Sequence, residues 1–156
     1  MTHSTKIFIG ADHRGFELKS KIKNLLLKRG YDVEDVGTFS SKPPCDYPQI
    51  AYEVARRVSG KKDSRGILVC MTGIGHAIAA NKVPGAYAAL CYNKEAALLS
   101  REHNNANILV LGAKFVSPRE MISIINVWLT TKFAGGRHLR RVRQIKEIEK
   151  GICKKG

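Results

Sequence analysis

Five short β-rich runs, each followed by a turn and then a stretch with helical spacing, constrain what this chain can fold into more than any other feature. The runs are Lys6 to Gly10, Tyr31 to Val36, Gly66 to Cys70, Ala86 to Leu90 and Asn107 to Leu111. Most are continuously apolar rather than alternating, the pattern of parallel strands covered on both faces. Parallel strands need crossover connections, and the intervening segments supply the helices. Gly15 to Arg29 places Leu18, Ile22, Leu25 and Leu26 on one stripe and stops at Gly30, a residue suited to the left-handed position after a helix. Further helices are expected over Pro48 to about Val58, Ala77 to Lys82 and Lys94 to Glu102. A fifth opens on Ser117, Pro118 and Glu120, the parts of a capping box, and turns Met121, Ile124, Ile125, Trp128 and Leu129 inward. A last, basic helix begins near Arg137. The alternation predicts a three-layer α/β/α sandwich around a Rossmann-like, five-stranded parallel sheet with right-handed crossovers. Strand order is not written in the pattern.

At 156 residues and 44% hydrophobic, the chain suits one domain spanning residues 1–156. Its cysteines, at 45, 70, 91 and 153, form no CxxC pair and no zinc spacing, which fits free thiols in a reducing cytoplasm. No apolar run approaches the roughly 20 residues that span a bilayer, and the first residues lack the apolar core of a signal peptide, so no membrane partner is expected. The 27 Lys and Arg against 13 Asp and Glu give a charge of +14, which raises anionic partners. A basic cluster closes the chain, with Arg137 and Arg141 at i and i+4 on one helix face as a two-pronged phosphate clamp.

In open α/β sheets, ligands bind beyond the carboxyl ends of the strands. There the chain places Asp12-His13 after the first run, Thr38 to Tyr47 after the second, Cys70-Met71-Thr72-Gly73-Ile74-Gly75 after the third, and Cys91-Tyr92-Asn93 after the fourth. The third is the most telling, because a thiol enters a turn whose glycines let backbone N–H groups approach an oxyanion. A thiol at a helix N-terminus is expected to ionise more easily than a free one. A dinucleotide fingerprint would need a small residue where Ile78 stands, and a phosphatase loop would need arginine where His76 stands. The remaining reading is an acid/base site for a sugar phosphate, with Cys70 removing a carbon-bound proton and Thr72 and the loop amides stabilising the enediolate oxygen. The second proton-transfer group and the phosphate anchor are sought in Ser100 to Asn105 and Gly135 to Arg141.

Six motifs in order carry a resemblance: Gly10-Ala11-Asp12-His13-Arg14-Gly15, Asp46-Tyr47-Pro48, Cys70 to Gly75, Ala79-Ala80-Asn81-Lys82, Ser100-Arg101-Glu102-His103-Asn104 and Gly135-Gly136-Arg137-His138. Together they resemble the type B ribose-5-phosphate isomerases, the family shared with galactose-6-phosphate isomerase, over nearly the whole chain. The resemblance implies interconversion of ribose 5-phosphate and ribulose 5-phosphate in the pentose phosphate pathway, with no metal and no organic cofactor. It implies that Cys70 is the base and that Thr72 with Met71, Gly73, Ile74 and Gly75 holds the enediolate. His103 would open the sugar ring, assisted by Asp12 and Asn104. Arg137 and Arg141 would grip the phosphate, with His13, His138, Tyr47 and Lys114 as further substrate contacts. It also implies a homodimer or tetramer with the site at the subunit interface.

Three positions depart from the family. Met71 replaces a glycine, a problem wherever positive φ is required; His76 replaces an apolar residue or a glutamate and is placed one layer behind Cys70; Lys114 replaces an arginine and loses its planar fork. A galactose or allose 6-phosphate isomerase is the alternative within the family, and a basic anion- or nucleic-acid-binding module the alternative outside it. The basic tail lacks interleaved aromatics, which weighs against nucleic acid.

Overall fold

The computed structural model describes residues 5–151. Eleven elements alternate along it: β1 Lys6–Ala11, α1 Phe16–Lys28, β2 Asp32–Gly37, α2 Tyr47–Val58, β3 Ser64–Cys70, α3 Ile74–Ala80, β4 Ala88–Leu90, α4 Lys94–Glu102, β5 Ile108–Gly112, α5 Pro118–Thr130 and α6 Gly136–Glu149. The five strands pair in parallel in the order β2-β1-β3-β5-β4. Strand pleat divides the core. Ile7, Ile9, Ile67, Val69, Leu109 and Leu111 face Ile22 and Leu26 of α1 and Ile124, Ile125 and Trp128 of α5. Phe8, Leu68, Ile108 and Val110 face Ala51, Val54, Ala55 and Val58 of α2 and Ala80 of α3. The predicted sandwich is therefore present, with α1, α4 and α5 on one face and α2 and α3 on the other. Among the described residues no helix is long and apolar enough to cross a membrane.

Several element ends differ from expectation. Tyr31 precedes β2, and β4 has only three residues, because the Ala86 N–H goes back to the Val83 carbonyl and the Tyr87 N–H to the Asn107 side chain rather than to a neighbouring strand. The helix expected from Ala77 starts at Ile74, since Gly73 at φ +84 turns the chain into the helix directly after the thiol turn, and it ends at Ala80, leaving Asn81 and Lys82 outside. The predicted Ser117 capping box forms in full, and Gly30 takes the left-handed conformation after α1, at φ +81. Cys153 and the last lysines of the basic tail lie outside the described residues.

The strand order fixes where a ligand crevice lies. From β1 the chain moves outward to β2, then returns past β1 to β3, so the connections leave in opposite directions between β1 and β3. The carboxyl ends of these two strands carry Asp12 and Cys70.

Candidate active site

Cys70 ends β3 with its side chain 5% exposed, and its Sγ accepts the Gly73 N–H at 3.0 Å. The turn holds this shape because Gly73 is tightly enclosed. A Cβ there would stand 2.5 Å from Leu90 Cδ1, and φ +84 would strain any side chain. The Thr72 hydroxyl accepts the Ile74 N–H at 3.3 Å, and the Thr72 carbonyl accepts the Tyr92 hydroxyl at 2.9 Å. Lys114 donates its N–H to the Met71 carbonyl at 3.0 Å, so the turn after β5 braces the thiol turn from below. Met71 keeps an ordinary backbone, since Asn105 is the one non-glycine at positive φ among the described residues. Methionine in place of glycine therefore introduces no backbone strain. The Arg14 guanidinium meets the Met71 sulfur.

Burial sets the thiol's acidity. It raises the Cys70 pKa above the ordinary value and the nearby Asp12 charge adds to the rise, against the opposing pull of the Gly73, Thr72 and His76 N–H groups. The expectation of an easily ionised thiol is thereby reversed, because loss of water outweighs a few amide dipoles. Asp12 is 7% exposed, and one of its oxygens accepts the N–H groups of Arg14 at 3.0 Å and Gly15 at 2.9 Å. This fixes the turn from β1 into α1 and leaves its carboxylate at the mouth of the crevice.

His13 joins this end through its Nδ1, which accepts the Cys45 N–H at 3.3 Å. Tyr47 opens α2 and lays its ring on Gly75, where an added Cβ would come within 2.5 Å of the ring. The same ring meets His76 edge-on at 5.7 Å. His76 is fully buried, neither ring nitrogen has a hydrogen-bond partner, and burial lowers its pKa to about 4. It is a neutral imidazole behind the turn.

Sequence reasoning missed the brace behind this end. Lys19, 1% exposed, donates to Asp35 Oδ1 at 2.7 Å and to the Thr38 carbonyl, and Lys23 reaches Asp35 Oδ2 at 3.0 Å. Burial pushes Asp35 upward, but hydrogen bonds from both lysines and the Gly37 N–H hold it below the usual carboxylate range. A buried lysine on an apolar helix stripe reads in sequence as a solvated charge. Its partner lies 16 residues away.

The remaining candidates gather at the opposite end of the sheet. His103 caps the end of α4, ahead of the start of β5 at Ile108, and its ring stacks on His138 of α6 at 4.0 Å. Desolvation, then the His103, Arg137 and Arg141 charges, hold the His138 imidazole below its ordinary value. Asn104, Arg137 and Arg141 are exposed there. Cys70 pairs with Gly112 at one end of β5, and Gly66 with Ile108 at the other. The four intervening residue steps alone span about 13 Å, so one chain does not bring Cys70 and His103 together. It brings together Asp12, His13, Tyr47, the thiol turn and Lys114 in one group, and His103, Asn104, Arg137, His138 and Arg141 in the other.

Residues 7–145 match the Ribose/Galactose Isomerase family. The chain belongs to that family. Among its relatives is the ribose-5-phosphate isomerase B of Escherichia coli (strain K12), 44% identical over 144 residues that cover 92% of this chain and 96% of that protein. Among solved structures, a Clostridium thermocellum ribose-5-phosphate isomerase B superposes with a TM-score of 0.91 at 48% identity, covering 96% of this chain and 100% of the other. A Mycoplasma genitalium ribose-5-phosphate isomerase B with bound ribulose-5-phosphate does so with a TM-score of 0.91 at 42% identity, covering 94% and 97%. Family membership agrees with the crevice at β1 and β3, where a buried thiol, a carboxylate and a turn of inward N–H groups converge.

Proposed function

We infer that this chain is a ribose-5-phosphate isomerase, interconverting D-ribose 5-phosphate and D-ribulose 5-phosphate through an enediolate, and that it works as a single cytoplasmic isomerase domain in a homodimer or a tetramer built from dimers. The observation that carries the reading is Cys70, enclosed at the carboxyl end of β3 with its sulfur on the Gly73 N–H and Asp12 nearby. As a thiolate it would take the proton from C2 of the open-chain aldose and return it to C1, moving the double bond from the C1 carbonyl to C2. The raised thiol pKa makes the thiolate, once formed, a stronger base toward carbon. Charge that collects on the enediolate oxygen meets Thr72 and the amides of residues 71–75.

The other requirements fall to a second copy. Opening the furanose ring needs proton transfer at two oxygens, which we assign to His103 with Asn104 from one copy and Asp12 from the other. Arg137 and Arg141 of the copy that supplies His103 would anchor the phosphate, and His13, Tyr47, Lys114 and His138 would line the sugar. A two-fold dimer satisfies this arrangement twice, because each copy presents both groups and a two-fold axis pairs unlike ends. Pre-positioning the sugar between two rigid ends is the entropic part of the catalysis.

Proton NMR of the protein with ribose 5-phosphate in D₂O under chelator tests the reading. The expected result is ribulose 5-phosphate carrying deuterium at C1 and reformed ribose 5-phosphate carrying it at C2, both abolished in Cys70→Ser. Conversion of a 6-phosphohexose with none of ribose 5-phosphate would assign the chain to the hexose branch of the family, and inertness toward both would overturn the isomerase reading.

A further inference from the structure

Beneath α6, at the amino ends of the strands, lies a cavity of about 580 Å³ that the reaction does not use. Five cationic side chains line it, those of Lys61, Lys62, Arg65, Lys146 and Lys150, against two carboxylates, Asp63 and Glu149. The Glu149 carboxylate is already engaged: one oxygen accepts the Gly85 N–H at 2.8 Å and the other the Tyr87 hydroxyl at 3.1 Å. It is thereby turned toward the wall that holds α6 in place. Arg65 is half-buried and its hydrogen bonds go to neutral carbonyls, those of Lys62 at 3.1 Å and Ser64 at 2.9 Å. Behind it stands Arg101, 4% exposed, bonded to Asn105 Oδ1 at 3.1 Å and to the carbonyls of Thr131 and Ala106. Neither guanidinium has an ion pair among the described residues, and the Arg65 charge acts on Arg101. The Asp63 charge acts on Arg65 but closes no ion pair with it, and two neighbouring arginines in a dehydrated setting are costly without a close anion.

We propose that this cavity is a second anion site, for a small ligand carrying a pyrophosphate group or two separate phosphates. Three net positive charges suit such a ligand better than a single phosphate. The volume falls within the roughly 300–1,000 Å³ of small-molecule sites. Arg65 supplies the planar fork that pairs with phosphate oxygens, Lys146 of α6 and Lys150 just after it supply point charges one turn apart, and Asn105, whose Oδ1 accepts from Arg101, brings an NH2 donor to the lining. Arg137 and Arg141 are not among the lining residues, so the site is distinct from the pair assigned to the substrate phosphate.

Titration calorimetry of the full chain with sodium pyrophosphate at low salt tests this without reference to turnover. The Arg137→Gln/Arg141→Gln variant, which lacks the substrate clamp, should still bind one pyrophosphate per chain. Adding Lys146→Gln and Lys150→Gln to it should weaken that binding at least about tenfold, the loss expected for removing charged hydrogen bonds. Lys146→Gln/Lys150→Gln alone should leave kcat for isomerisation at the wild-type value, since neither side chain touches the reacting groups. The proposal is overturned if the arginine variant binds no pyrophosphate, or if it binds equally well with and without the two lysines. It is likewise overturned if single-stranded RNA binds at the cavity and pyrophosphate does not displace it.

Discussion

Two inactive variants should restore each other's activity. If each site takes Cys70 from one copy and His103 from the other, a Cys70→Ser dimer lacks the base at both sites and a His103→Asn dimer lacks the ring-opening imidazole at both. In a mixed dimer the unaltered Cys70 of one copy faces the unaltered His103 of its mate, so one site is whole and the other doubly defective. Random assembly of equal amounts makes half of all dimers mixed, which gives about one quarter of the wild-type turnover per site. The geometry behind this is the run of β5: Cys70 lies at the level of Gly112, and His103 precedes Ile108 at the opposite end. The separation of at least about 13 Å exceeds what either side chain can bridge. The assay is to unfold the two variants together, refold them, and follow ribulose 5-phosphate by NMR beside each variant refolded alone. Activity that stays at the background of the single variants, while wild type refolds with full activity, would refute the shared site.

Other outcomes follow from the same structure. Arg137→Ala should raise KM for ribose 5-phosphate at least about tenfold and change kcat little, because an anchor distant from the reacting carbons contributes mostly uniform binding. Because burial raises the Cys70 thiol, the protonated form dominates at neutral pH, so kcat/KM should climb with pH from 7 to about 9, and a profile flat over that span would remove the thiolate from the mechanism. His76, at about 4 when folded and near 6.5 when unfolded, binds a proton more readily in the unfolded chain, so stability present above pH 6.5 is lost as pH falls toward 4. The loss should reach about 3 kcal/mol in urea titrations and should largely vanish in His76→Met. Lys19→Met leaves Asp35 with Lys23 and the Gly37 N–H and should cost about 1–3 kcal/mol in the same titrations.

The layer architecture was legible because apolar runs such as Gly66 to Cys70 and helix signals such as Ser117-Pro118-Glu120 are local, and local patterning decides strand and helix. Strand order was not, because it depends on which edges meet across tens of residues, and the place of β5 between β3 and β4 leaves no periodic trace. The candidate residues were found through motif order, yet their division between two ends of the sheet is a property of that strand order. Cys70 shows the limit most clearly: its neighbours in sequence promised a lowered pKa, and its depth in the fold, which sequence does not display, raised it. Lys19 was hidden for a related reason, since its partners, Asp35 and the Thr38 carbonyl, sit in the next strand and just past its end, 16 and 19 residues away.

The cations of this chain are unevenly committed. On the β2 edge, Lys6 and Arg57 close on Glu34, and Lys19 and Lys23 on Asp35, whereas Arg137, Arg140, Arg141 and Arg143 on α6 form no ion pair among the described residues. The protein is therefore a charge dipole, quenched along one edge of the sheet and bare along α6. A doubly charged sugar phosphate drifting past feels that asymmetry before it touches anything, over about 8 Å at physiological ionic strength. Its arrival is biased toward the arginines, which speeds encounter by tenfold or more as salt is lowered. The excess of lysine and arginine thus acts on the frequency of productive collision, a quantity set by the far field of the molecule and independent of the chemistry at Cys70.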